Sequence, residues 1–230
     1  MVNTTQKIYD ILHTKYDSQK WWPTTLTGNL HPTYHGKKHN KAQQFEIIVG
    51  ALLTQNTSWK NVEKAIFNLN NNKLLSIDKL RKTKQNKIAE SIKPAGYFNQ
   101  KSERLKIISE YLYKKPIKKL FSQPINKLRE ELLSIKGIGP ETADSIILYS
   151  ANQAIFVIDA YTKRIFSRIG LCKKEIKYEE LQQQITRELP RTTKLFNEYH
   201  ALLVELAKRH CKTKPECNEC PLSTICKKKI

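Results

Sequence analysis

Apolar residues recur at helical spacing along most of this chain. Ile8, Ile11 and Leu12 mark an amphipathic helix over 5–16, after which the stretch 17–41 loses all periodicity. From Ala42 the helical pattern resumes and holds almost to the end. The segment Phe45-Glu-Ile-Ile-Val-Gly-Ala-Leu-Leu53 reads as a buried helix, and Thr57 is placed to cap the next one, which carries Val62, Ala65, Ile66 and Leu69. Further helices are predicted over 77–81, 86–92, 100–113, 125–135, 141–150, 160–169, 178–188 and 193–210. Short connections with Gly or Pro separate several of them, and no alternating strand is evident. The pattern predicts an all-α chain of about ten helices, with no internal repeat and no linker long enough to separate independent domains.

Composition narrows the functions open to such a chain. With only 7 glycines, a Rossmann or P-loop enzyme and a turn-rich all-β fold are both disfavoured. No apolar run approaches bilayer length, and the first twenty residues mix charges of both signs, so a cytoplasmic protein, monomeric and away from membranes, is expected. The 41 basic residues exceed the 21 acidic ones and give a net charge of +20, which favours a polyanionic partner, most often a nucleic acid. A Lys-, Asn- and Ile-rich composition also arises from AT-rich coding sequence, so charge alone does not settle the partner.

Four of the five cysteines crowd the C-terminal end: Cys211, Cys217, Cys220 and Cys226, at intervals of five, two and five residues. Without a secretory signal, four thiols this close point to a metal site before disulfides. Zinc ribbons present two close Cys pairs, whereas here one close pair is flanked by single cysteines, which favours a [4Fe-4S] cluster over zinc. Lys208, Arg209, Lys212, Lys214 and Lys227 to Lys229 surround the loop and suit phosphate contacts. Cys172 stands apart and reads as a buried thiol.

A second constellation runs from Leu132 to Leu148. A helix ends at Ile135, Gly137 and Gly139 form a hairpin, and a new helix starts at Pro140. Such glycines let the backbone approach a ligand, and free N–H groups at the helix start hold a phosphate without reading sequence. Eighteen residues after Glu141, the apolar run Val157-Ile158 meets Asp159 at the head of another helix. Asp is a favoured N-cap, and many such residues do nothing else. A carboxylate held by helix N–H groups also stays ionised and can stabilise a developing cation or orient water.

Together these residues resemble the helix-hairpin-helix DNA glycosylase superfamily, in its endonuclease III-like branch. The supporting elements occur in family order: Leu53-Thr54-Gln55-Asn56-Thr57, Gly96-Tyr97-Phe98-Asn99-Gln100-Lys101, the hairpin, Asp159 and the cysteines. The first Cys interval is one residue shorter than the usual pattern. The resemblance implies two helical lobes, 39–152 ending in the hairpin and 1–38 with 153–230 carrying the cluster, with catalysis in the cleft between them. It implies that Asp159 is the catalytic carboxylate, that Lys136, Gly137, Ile138 and Gly139 grip duplex DNA, and that Gln55 fills the hole left by a flipped base.

One departure decides the expected chemistry. Bifunctional members carry a lysine two residues after the second glycine, where this chain has Glu141, and a carboxylate cannot form an imine. A monofunctional enzyme is expected, acting on bases that leave readily, such as 3-methyladenine. Trp21, Trp22, Pro23 and Phe45 resemble the aromatic base pocket of the 3-methyladenine glycosylase type III subfamily, where a cationic base meets electron-rich faces. Placement in the core is the alternative for these aromatics. The alternatives for the whole chain are an endonuclease III-like glycosylase with lyase activity on oxidised pyrimidines, and a non-catalytic DNA-binding protein.

Overall fold

The computed structural model describes residues 4–228, which contain twelve α-helices and divide into two compact units, 22–152 and 4–21 with 153–228. The chain is all-α apart from one two-residue antiparallel pair, Thr24–Thr25 with Pro32–Thr33, inside the stretch that lacked periodicity. No helix among the described residues is long and apolar enough to cross a membrane.

The unit formed by 22–152 is built around α2 (Lys41–Leu53). Asn40 and Gln43 start it with a reciprocal capping box, and its residues from Phe45 to Leu53 are buried, as an apolar surface on all sides requires. The helix α3 (Trp59–Asn71) buries Val62, Ala65, Ile66 and Leu69 on one stripe. Ser58, not Thr57, is its N-cap, and the Thr57 hydroxyl accepts from the Asn61 amide at 3.4 Å. Two short helices, α4 (Ile77–Lys82) and α5 (Gln85–Ser91), pack on α6 (Phe98–Lys114). Then follow α7 (Ile117–Phe121), which the pattern did not reveal, α8 (Ile125–Leu133) and α9 (Pro140–Ser145). The helix predicted over 141–150 changes at Ile146 into a buried π turn that ends at Ser150.

The division between the units falls between Trp21 and Trp22. Residues 22–38, grouped by the sequence reading with the cysteine-bearing lobe, are tied to α2 and α3 instead. Thr25 donates its N–H and hydroxyl to Glu46 Oε1 at 2.9 and 2.8 Å, and Asn70 Nδ2 donates to the Thr25 hydroxyl and the Leu30 carbonyl at 3.0 Å each.

The second unit joins both ends of the described chain. It contains α1 (Thr4–Tyr16), α10 (Ala160–Ile169), α11 (Tyr178–Arg187) and α12 (Thr193–Arg209), then the cysteine loop. α12 packs against both α1 and α10, and its buried Tyr199 hydroxyl donates to the Thr5 carbonyl at 2.8 Å. Phe156 meets Phe196 and Tyr199 edge-on, and together with Ile8 and Leu12 these rings lie in the core.

Candidate active site

The hairpin between α8 and α9 is braced from both sides. Asp144, fully buried in α9, pairs with Arg129 of α8 at 2.7 Å, and Ile138 at the hairpin tip is 6% exposed. Gly137 adopts φ +91°, and a Cβ there would lie 2.6 Å from Arg104 Cγ. Gly139 is extended and has open space where its Cβ would be, directly before Pro140 at the start of α9. The Lys136 ammonium is exposed and lies 2.7 Å from Glu103. Glu141 is exposed in the first turn of α9.

Gln55 docks onto this hairpin. Its Nε2 donates to the Gly137 carbonyl at 3.0 Å and to the Thr142 hydroxyl at 2.9 Å, while its Oε1 accepts from Arg104. Arg104 therefore touches both the glycine and the glutamine, a role no local spacing announced. The turn that presents Gln55 is held from below by Lys101, which is 1% exposed. Its ammonium donates to the Leu53 and Ala95 carbonyls at 2.9 and 2.8 Å, and burial pulls its pKa down to about 8.

The aromatic candidates have different immediate surroundings. Trp22 is 5% exposed and packs its indole over Gly50 of α2, edge-on to Trp59 and tilted against Tyr149. Phe45 lies about 140° around the helix from Gly50 and lines a cavity of about 330 Å³ with Leu75, Ile77, Leu112 and Ile117. Pro23 is buried. Trp21 is half-buried in the other unit, with the Lys208 ammonium 5.8 Å from its ring.

Asp159 is the N-cap of α10. Its Oδ1 accepts from the Thr162 N–H at 2.7 Å and the Thr162 hydroxyl at 2.8 Å. Its Oδ2 lies 3.5 Å from Nε2 of His200, which reaches it from α12. Burial pushes the Asp159 pKa up, but His200 and the Thr162 bonds outweigh it and hold the carboxyl below its ordinary value. The segment feeding this cap is fixed as well, since Gln182 donates to the Phe156 carbonyl at 2.6 Å. Thr162 and His200 are the site residues that the sequence reading missed.

The cysteine loop hangs on the same helix. Arg164 donates to the Cys211 carbonyl at 2.9 Å, and Arg168 donates to the Lys212 and Thr213 carbonyls and lies 3.5 Å from the Cys211 sulfur. Cys211, Cys217, Cys220 and Cys226 are free, half-buried thiols, and so is Cys172. Burial raises the Cys220 pKa, and the charges of the other three loop cysteines raise it further, which places all four within electrostatic reach. Four free thiols in one loop, with N–H donors beside two sulfurs, are side chains of the type that could hold a metal centre. Among the described residues, no three His, Cys, Asp or Glu side chains are grouped for a single metal ion.

Residues 49–191 match the family described as HhH-GPD superfamily base excision DNA repair protein. A protein of Methanocaldococcus jannaschii, provisionally named a DNA repair glycosylase, is 41% identical over 96% of this chain and 94% of its own length. The Helicobacter pylori 3-methyladenine DNA glycosylase bound to 1,N6-ethenoadenine superposes with a TM-score of 0.71 at 26% identity, covering 89% of this chain and 97% of that one. A non-covalent endonuclease III–DNA complex gives 0.76 at 18% identity over 98% and 96%, a likeness of fold. The chain belongs to the HhH-GPD superfamily of base excision DNA repair proteins, and is a helix-hairpin-helix DNA glycosylase of the endonuclease III-like kind.

Proposed function

We propose that the chain is a monofunctional DNA glycosylase that releases alkylated purines such as 3-methyladenine from duplex DNA by flipping the damaged base out of the stack. The observation that carries this reading is the ionised Asp159 at the head of α10, combined with Glu141 where bifunctional members have a lysine. As the glycosidic bond breaks, its electron pair goes to the departing base and neutralises the positive charge that alkylation placed there. Asp159 stabilises the sugar cation left behind and orients the water that adds to it. Likeness to the Helicobacter pylori enzyme supports an alkylpurine substrate. Trp21, Trp22 and Phe45 are the aromatics assigned to base recognition, with Pro23 shaping the wall, and Trp21 is the tryptophan of the two with surface still accessible.

Lys136, Gly137, Ile138 and Gly139 hold the phosphate backbone in this reading, and Gln55 supports the gap in the stack. Cys211, Cys217, Cys220 and Cys226 hold a [4Fe-4S] cluster, which ties the loop together; zinc is the competing occupant of the same four thiolates. Purified protein with iron is brown and absorbs broadly near ~400 nm, whereas the zinc form is colourless.

The endonuclease III-like neighbours keep a second reading in view, with lyase activity from another amine such as Lys136. End-labelled duplexes carrying 3-methyladenine, thymine glycol or a mismatch distinguish the two. Nicks on the alkylated duplex only after alkali are the expected result. Nicks on thymine glycol without alkali would establish the lyase, and no base release from any duplex would leave a DNA-binding protein.

A further inference from the structure

We propose that His200 is a positioning residue for Asp159, fixing Oδ2 in line for base release. The inference rests on the reading of Asp159 as the catalytic carboxylate. The two oxygens of that carboxylate are treated differently by the fold. Oδ1 is committed to helix capping through both Thr162 donors, so it cannot turn without uncapping α10. Oδ2 is the oxygen that faces the imidazole, at 3.5 Å. The side chains of His200 and Asp159 are only 10% and 13% exposed, so solvent screens their interaction weakly.

The setting of His200 makes a packing role insufficient. Its neighbours on α12 are buried and apolar: Phe196, Ala201, Leu202 and Leu203. An imidazole in that company loses its hydration, a cost that a polar partner offsets. The ring is turned toward the carboxylate that heads α10 and places Nε2 3.5 Å from Oδ2, within ion-pair reach when the imidazole is protonated. At that distance the two groups are poised to close into a hydrogen bond once substrate tightens the site. Charge developing on the sugar draws Oδ2 toward C1′, and His200 limits how far the carboxylate can rotate away from that line. Asp159 acts on the substrate, and His200 acts through Asp159.

The test uses the full-length protein in single-turnover base release from a 3-methyladenine duplex, with DNA affinity measured in parallel. His200→Phe keeps the ring and removes the donor. It is expected to slow the chemical step about 10- to 100-fold with DNA affinity unchanged, the scale of one hydrogen bond to a charged group. His200→Gln returns an N–H donor and should recover most of that loss, which a merely structural role would not predict. A second measurement does not depend on either variant folding. In protein with 15N-labelled histidine, the His200 Nε2 resonance should move in Asp159→Asn, because its acceptor loses charge.

A folded His200→Phe protein with the wild-type chemical rate would overturn the inference and leave Asp159 untouched. An unmoved Nε2 resonance in Asp159→Asn would overturn it too. Full turnover by Asp159→Asn would remove the catalytic assignment of Asp159 itself, and His200 with it.

Discussion

Gly137 and Gly139 look equivalent in the sequence and are not equivalent in the fold. At Gly137 a methyl group meets Arg104 at 2.6 Å and the backbone is left-handed, so Gly137→Ala should cost about 1–3 kcal/mol of stability, read by urea unfolding. It should also pull Arg104 from Gln55. At Gly139 the same methyl enters open space on ordinary extended backbone. Gly139→Ala should therefore unfold like the wild type and yet bind duplex DNA more weakly, as the phosphate contact proposed for the hairpin requires. Wild-type DNA affinity in that variant would mean the second glycine serves the turn alone. Glu46 offers a different single-residue test. Burial raises its pKa to about 7 against an ordinary 4.5, outweighing the two bonds from Thr25. The folded state thus favours the protonated form, and its share of stability is complete below about 4.5 and lost as pH rises through 7. Relative to Glu46→Gln, the wild type should lose about 3 kcal/mol of unfolding free energy between pH 4.5 and 8, from the pKa difference. Parallel pH profiles for the two proteins would rule this out.

The helix α10 combines several tasks, and they can be separated. Asp159→Asn retains a capable cap, so melting should change by about 0.5 kcal/mol or less while base release collapses. Loss of both together would mean that the residue only starts the helix. Most elements were legible because their signals are local. The apolar stripe of α3, the Gly-x-Gly-Pro junction before α9 and the cap of α10 each lie within one or two helical turns of sequence. The four cysteines, spread over a longer stretch, show as a local cluster of one residue type near the end of the sequence. What escaped was either too short to show a period, as with the five residues of α7, or assembled from distant segments. His200 meets Asp159 from another helix, and Arg104 reaches Gln55 across 49 positions. The tandem tryptophans were legible as residues but not in their seating: loop composition does not reveal that the Trp22 ring lies over Gly50.

At the scale of the whole molecule, the surplus of 41 basic over 21 acidic residues sets how DNA is held. Affinity for undamaged duplex should fall steeply with salt, by about 10³- to 10⁵-fold between ~50 and ~200 mM if roughly six to ten phosphates are neutralised. A shallow slope in a filter-binding series would assign the surplus to composition alone. The two units also differ in how the chain reaches them. Residues 22–152 form a continuous stretch, whereas the other unit joins α1 to segments beyond 152, sealed by the bond from Tyr199 to the Thr5 carbonyl across 194 positions. During synthesis Thr5 of α1 is made 194 positions before its partner Tyr199 of α12. At ordinary elongation rates α1 waits about 10–40 s with Ile8 and Leu12 uncovered, estimated from those 194 positions. Through that interval the nascent chain presents a sticky amphipathic helix, a natural landing place for a chaperone, and the carboxylate and its histidine gain their frame only once α12 has followed.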